Sequence, residues 1–263
     1  MRAYFLDAAG NNVVIGLLQS TGISPEQGFE ILRRAECTPL AEKEPDVYGV
    51  LYREGGQLRV DFWNPDGSRE DVCGNALRCV PLVMTHAGQP SDRVTVQTRL
   101  GSVDCLQLGP GIYGAEIPTT GFSITEAGEG DVLVHVGTPH RVRFVDDLEA
   151  MQLLDLGRSW ARAAIPVAAT FVRPDNGVLH VRSVERGVIR ETGSSGTAAI
   201  AAYLAYDRLE GEAHRDFREA RFPCGRRLKV RFDSAAQQIV LYGACRLEFA
   251  CDMVTDSEHA CSA

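Results

Sequence analysis

Apolar residues recur along this chain in two rhythms, a period of two in short runs and denser stripes at helical spacing. Residues 47–53 and 57–63 flank Glu54-Gly55-Gly56, which predicts a β-hairpin. Asn64-Pro65-Asp66-Gly67-Ser68 predicts a tight turn. Ala76, Leu77, Val80, Val83 and Met84 then form a stripe that predicts a helix ending near Gly88. Pro81 inside that stripe predicts a kink or an early stop, because proline removes a backbone donor and crowds the preceding turn. Short strands are predicted next, over residues 94–98, 102–108 and 113–117.

The second half repeats this order. Strands are predicted at residues 132–136 and 142–145, a helix at 148–164, and strands at 170–172 and 178–182. An alanine-dense helix from Gly196 to about Arg208 follows, then strands at 228–232, 238–242 and 246–249. The echo reaches single residues. Cys73-Gly74-Asn75-Ala76 opens the first apolar helix and Ser195-Gly196-Thr197-Ala198 opens the second. The fold class is therefore α+β: two pseudo-symmetric units, each a curled antiparallel sheet or barrel around a central helix. A helix apolar on all sides has to be buried on all sides. The join falls near residue 118. Residues 1–118 form the unit carrying Cys73, and residues 119–263 form the unit carrying Ser195, with the last strand free to return to the first unit.

Composition changes this picture little. The chain has 263 residues, 44% of them hydrophobic, which suffices for one large domain or two small ones. A formal net charge of −8 argues against nucleic acid or an anionic membrane as partner. The first residues do not open a signal peptide, and no apolar run approaches the ~20 residues of a membrane span, so a cytoplasmic location is expected. The eight cysteines include no CxxC pair and share no ligand spacing with the six histidines. Reduced thiols are expected, with no structural metal site and no metal cofactor.

The two helix starts carry the chemistry. A helix N-terminus offers unpaired N–H groups and a partial positive charge. Two such ends facing each other would hold one carboxylate. The same field is expected to favour the thiolate of Cys73. With a base on each face of a bound α-carbon, the arrangement suits removal and return of an α-proton.

At these residues the chain resembles the diaminopimelate epimerase family. Asn64-Pro65-Asp66-Gly67-Ser68 with Val72-Cys73-Gly74-Asn75-Ala76-Leu77-Arg78-Cys79 is similar to the family's first active-site motif. Glu185-Arg186-Gly187 with Glu191-Thr192-Gly193-Ser194-Ser195-Gly196-Thr197-Ala198 is similar to its second. Gly10-Asn11 and Gly137-Thr138-Pro139-His140 fall where the family has further motifs. The resemblance implies racemisation without pyridoxal phosphate or any other cofactor, by two facing cysteines. It implies that Cys73 is one acid/base and that Ser195 occupies the place of the other. Gly74, Asn75, Gly196 and Thr197 would hold the α-carboxylate. Asn11, Asn64, Glu185 and Arg186 would contact the rest of the amino acid, with Thr138 lining the same site.

Departures from the family shape the functional reading. An alcohol at Ser195 needs an adjacent base before it can accept a proton. Two asparagines that recognise the far end of diaminopimelate are replaced, one by Thr138 and one within Ala168-Ala169-Thr170. A different amino acid, basic or histidine-like, enters as a candidate substrate. The leading reading is a cofactor-independent amino-acid racemase or epimerase with a small-molecule substrate, a homodimer remaining open. The alternatives are a one-base isomerase or dehydratase acting on an amino acid, and a non-catalytic or engineered Cys-to-Ser form that only binds. As an isolated residue, Ser195 is also what a plain helix N-cap requires.

Overall fold

The computed structural model describes residues 1–19, 22–34, 44–150, 152–185, 191–211 and 217–253. In chain order it contains β1 (Arg2–Asp7), β2 (Asn12–Leu17), α1 (Pro25–Arg34), β3 (Val47–Glu54), β4 (Gln57–Trp63), β5 (Arg69–Glu70) and α2 (Gly74–His86). Then come β6 (Arg93–Thr98), β7 (Gly101–Gly109), β8 (Ile112–Pro118), β9 (Ser123–Glu126), β10 (Val132–His135), β11 (Pro139–Phe144) and α3 (Gln152–Ala161). The last elements are β12 (Ala168–Asp175), β13 (Val178–Val184), α4 (Gly196–Glu210), β14 (Arg218–Arg221), β15 (Arg227–Asp233), β16 (Gln238–Ala244) and β17 (Arg246–Asp252).

One continuous run of paired strands carries all of this. From β17 it passes through β1, β2, β3, β4, β6, β7 and β8, the last of which pairs with β16. It continues through β15, β14, β13, β12, β11, β10 and β9. The two halves of the run follow one pattern. A parallel pair (β2·β3 or β11·β12) is followed by a hairpin (β3·β4 or β12·β13). A second parallel pair (β4·β6 or β13·β14) leads into a meander that ends at the β8·β16 junction.

Pairing is thus mixed where the sequence suggested antiparallel sheets. Parallel neighbours need a long crossover, and each crossover here carries a helix: α1 before β3, α2 before β6, α3 before β12 and α4 before β14. The sheet curls around two of these. Helix α2 touches β2, β3, β6, β7, β8, β16 and β17, and α4 touches every strand from β10 through β16. Of α2, ten residues from Gly74 to Met84 are buried, and most of α4 is too. The other two helices pack outside the curl. Phe29 of α1 stacks on Trp63 at 5.1 Å between ring centroids, and Trp160 of α3 stacks on Phe171 at 5.6 Å.

Local signals explain most element ends. Gly55 and Gly56 turn the β3–β4 hairpin with φ of +57° and +80°, as a two-residue turn with both residues left-handed requires. Gly211 closes α4 at φ +71°. Helix α2, by contrast, runs on to His86 beyond Pro81. Packing accounts for this: Pro81 is buried in the core, and burial outweighs one missing hydrogen bond. The helix expected at 148–164 is shorter, Gln152–Ala161, and α1 had no counterpart in the sequence reading. Among the described residues no helix is long and apolar enough to cross a membrane.

Backbones approach closely beside α4. A Cβ on Gly193 would lie 2.2 Å from the carbonyl oxygen of Gly10. Backbone cannot move aside as a side-chain end can. Gly193→Ala is therefore expected to destabilise the protein by about 1–3 kcal/mol, read as a lower urea midpoint at unchanged slope. Gly22→Ala, where a Cβ meets nothing within 4 Å, serves as the control and should leave the midpoint in place.

Candidate active site

Helices α2 and α4 point their N-termini at one another and touch. A Cβ on Gly74 would lie 2.6 Å from Leu241 Cδ2 and 3.9 Å from the Gly196 Cα. A Cβ on Gly196 would lie 2.9 Å from the same Leu241 atom and 3.2 Å from the Asn75 backbone nitrogen. Leu241, on β16 beside the junction with β8, fills the wedge that the two glycines leave. The residues before the helices match in backbone shape: φ −128°, ψ 103° at Cys73 and φ −133°, ψ 125° at Ser195.

A pocket opens over these two ends. It is lined by Cys73, Gly74 and Asn75 from one helix start and by Ser195, Gly196 and Thr197 from the other. Asn11, Asn64, Thr138 and Glu185 line it as well. Ten of the residues singled out from the sequence therefore meet around one cavity. The eleventh, Arg186, lies outside the described residues.

The sequence reading missed Asp46, Glu70 and Thr192, which also line this pocket. Glu70 is held by Asn64 Nδ2 at 2.7 Å and by the Thr138 hydroxyl at 2.5 Å. Asp46 Oδ2 accepts the Asn12 backbone N–H at 2.8 Å. Glu70 stands between the Asn64 turn and Cys73, inside the motif already noticed. A charge between two site segments was the available signal. Asp46 precedes an ordinary strand and offered none.

The two capping residues differ in use. Ser195 Oγ accepts the Ala198 N–H at 3.0 Å and lies 3.2 Å from Thr197 Oγ1. Cys73 makes no capping hydrogen bond. Burial pushes its thiol up to about 12, against the opposing pull of the Ala76 and Asn75 N–H groups, and the charges of Glu70 and Glu185 add to the rise. The expected thiolate is thus corrected to a thiol: burial and two carboxylates outweigh the helix end.

Glu185 shows the complementary shift. Burial pushes its carboxyl up to about 7, hydroxyls of Ser195 and Ser183 pull it down, and Glu70 and Asp46 push it up again. Its Oε1 is buried without a hydrogen-bond partner among the described residues. The Asn11 Oδ1 is in the same condition. His140 stands away from the pocket lining, fully buried with Nδ1 at 2.9 Å from Thr170 Oγ1.

The folded value for Glu185 lies above its ordinary 4.5, so the fold favours the protonated form. That stability is complete below pH 4.5 and is lost as pH rises through about 7. Glu185→Gln should therefore be more stable than the parent at pH 8, by about 1–3 kcal/mol, and equal to it at pH 4. Urea titrations at the two pH values check this; equal differences at both would contradict it.

No family model matches the chain. It is 30% identical over 183 residues to the diaminopimelate epimerase of Methanothrix thermoacetophila, covering 61% of this chain and 65% of that one. It is 30% identical over 176 residues to the diaminopimelate epimerase of Thermotoga maritima, covering 63% of this chain and 71% of that one. The match thus spans slightly under two thirds of the length of the Methanothrix relative. The fold is similar to that of a hydroxyproline epimerase from Agrobacterium vitis solved with bound trans-4-hydroxy-L-proline. The TM-score is 0.67 at 13% identity, over 97% of this chain and 93% of that one.

Proposed function

The chain belongs to the diaminopimelate epimerase family, and we propose that it is a cofactor-independent amino-acid racemase or epimerase. The observation that carries this reading is the contact between two helix N-termini, one preceded by a thiol and the other capped by a hydroxyl, above a shared pocket. The substrate carboxylate would lie over the free N–H groups of α2 and α4. Its negative charge is stabilised there by both helix ends. Those same groups would hold the charge that moves onto the carboxylate as the α-proton leaves.

Cys73 and Ser195 then take opposite faces of the α-carbon. In the free protein Cys73 carries its proton and is ready to donate it. Ser195 needs a base, and Glu185 is beside it, ionised above about pH 7. As the Ser195 oxygen takes the α-proton, its own proton passes to Glu185 and the electron pair of the broken C–H bond moves onto the carboxylate. The Cys73 thiol protonates the other face, leaving a thiolate. The resulting state, thiolate and carboxylic acid, is set for the opposite enantiomer. Asn11, Asn64, Thr138, Glu70 and Arg186 are assigned to the rest of the amino acid. One observation favours a second reading. The Ser195 hydroxyl already serves as a helix cap, and a hydroxyl occupied in that way would leave Cys73 as a single base for an isomerase or dehydratase.

Incubation with a panel of L-amino acids in deuterated water separates the readings. α-Proton exchange with inversion is expected, and Cys73→Ala should lower it by roughly 10²–10⁴-fold. Ser195→Cys should raise inversion. Exchange with retained configuration would replace this mechanism with the one-base reading. A bound amino acid that never exchanges would defeat both.

A further inference from the structure

Arg78 is the largest of the fully buried side chains, at 0% exposure. It lies one turn into α2, directly behind the helix end that faces the pocket. Its Nη2 donates to Asn75 Oδ1 at 2.7 Å and to the Ala8 carbonyl at 3.3 Å. Its Nη1 donates to the Ala244 carbonyl at 3.2 Å and meets Cys245 Sγ at 3.4 Å. Its Nε is buried without a hydrogen-bond partner among the described residues. Among the described residues no carboxylate forms an ion pair with it.

A buried guanidinium surrounded by carbonyls, an amide and a thiol is costly to keep. The surroundings give the charge something to do. Asn75, whose oxygen Arg78 holds, turns its Nδ2 across to the Ser194 carbonyl at 3.3 Å. Ser194 Oγ in turn donates to the Ala8 carbonyl at 3.3 Å, the same oxygen that takes Arg78 Nη2. A closed ring of Arg78, Asn75, Ser194 and Ala8 thereby ties the start of α2 to the start of α4 through the β1–β2 turn. Asn75 is also part of the pocket wall. The field of Arg78 already acts on a neighbour: burial resists ionisation of Cys245, yet the hydrogen bond from Cys79 and the charge of Arg78 draw its pKa down.

We infer that Arg78 is a positioning residue for the substrate carboxylate, supplying a buried positive charge behind Asn75 and keeping both helix ends aimed at one anion. The inference rests on the proposed reading of the pocket as an amino-acid site. It assigns the missing negative partner of Arg78 to the bound ligand. Repulsion between the two positive helix ends is then held in check by the ring until an anion arrives.

The test compares L-amino acids with their α-carboxamides, which keep the shape and lose the charge. Binding to the full chain is measured by calorimetry. Arg78→Gln keeps hydrogen-bond donors and loses the charge; Arg78→Lys keeps the charge and loses the fork. Arg78→Gln is expected to weaken binding of the acid by roughly 10–100-fold and to leave the amide within about twofold. Arg78→Lys is expected to recover about tenfold of that loss. Equal losses for acid and amide, or no loss, would overturn the inference, as would a parent protein with no preference for the acid. Should the Arg78 variants fail to fold, Asn75→Ala cuts the link while leaving Arg78 in place. Its preference for acid over amide should fall about tenfold, and an unchanged preference would overturn the inference. Acid-selective binding without α-proton exchange would defeat the racemase reading and leave the role of Arg78 standing. Exchange and acid binding unaltered in Arg78→Gln would do the reverse.

Discussion

The meeting of two helix N-termini is the constraint around which this molecule is built. Each end carries about half a positive charge, so bringing them into contact opposes their electrostatics. Two residues without side chains permit the approach, and Leu241 seals the wedge between them. The β8·β16 junction holds the two curled sheets at the required distance, and the Asn75–Ser194 hydrogen bond pins the helix starts. Because α2 is buried from Gly74 to Met84 but for Leu82, and α4 over most of Gly196 to Ala205, neither can slide away without opening its sheet. An anion in the pocket relieves the repulsion, so binding and structural compatibility favour the same ligand charge.

The protonation of the two faces follows first from burial and then from where carboxylates were placed. Glu70 and Glu185 share the pocket with Cys73, and both oppose its ionisation. Burial raises Glu185 toward neutrality, and the charges of Glu70 and Asp46 add to the rise. Near pH 7 the cleft therefore holds one firmly protonated acid and one carboxylate close to half ionised. Under the proposed mechanism, two chemically unlike groups are brought to complementary states by their surroundings, where two thiols would have relied on symmetry.

Much of this was legible in the sequence, and the reasons are local. Gly55-Gly56 allows only a tight hairpin, and the stretches opening at Gly74 and Gly196 are too apolar to face water. Cys73-Gly74-Asn75 and Ser195-Gly196-Thr197 were recognisable because they repeat. What escaped depended on distant partners. The parallel pairs β2·β3 and β13·β14 leave no mark on either strand alone. Helix α1 is short and polar on average, and its Phe29 finds Trp63 only after folding. The protonation of Cys73 departs from the sequence expectation for the same reason: its burial, the largest cause, and the charge of Glu185 both come from distant elements, although Glu70 stands only three residues away.

The interleaving of strands at the outer edges has its own meaning. After β8 the chain crosses to lay β9 beside β10, and after β16 it returns to lay β17 beside β1. Each half is thus closed at its edge by a strand that follows the other half's meander. In a dimer of identical half-length chains, a two-fold axis would force both helix caps to be the same residue. Joining the halves in one covalent chain removes that obligation. Each cap is then free to change independently, and a thiol can face a hydroxyl across a cleft whose backbone remains symmetric.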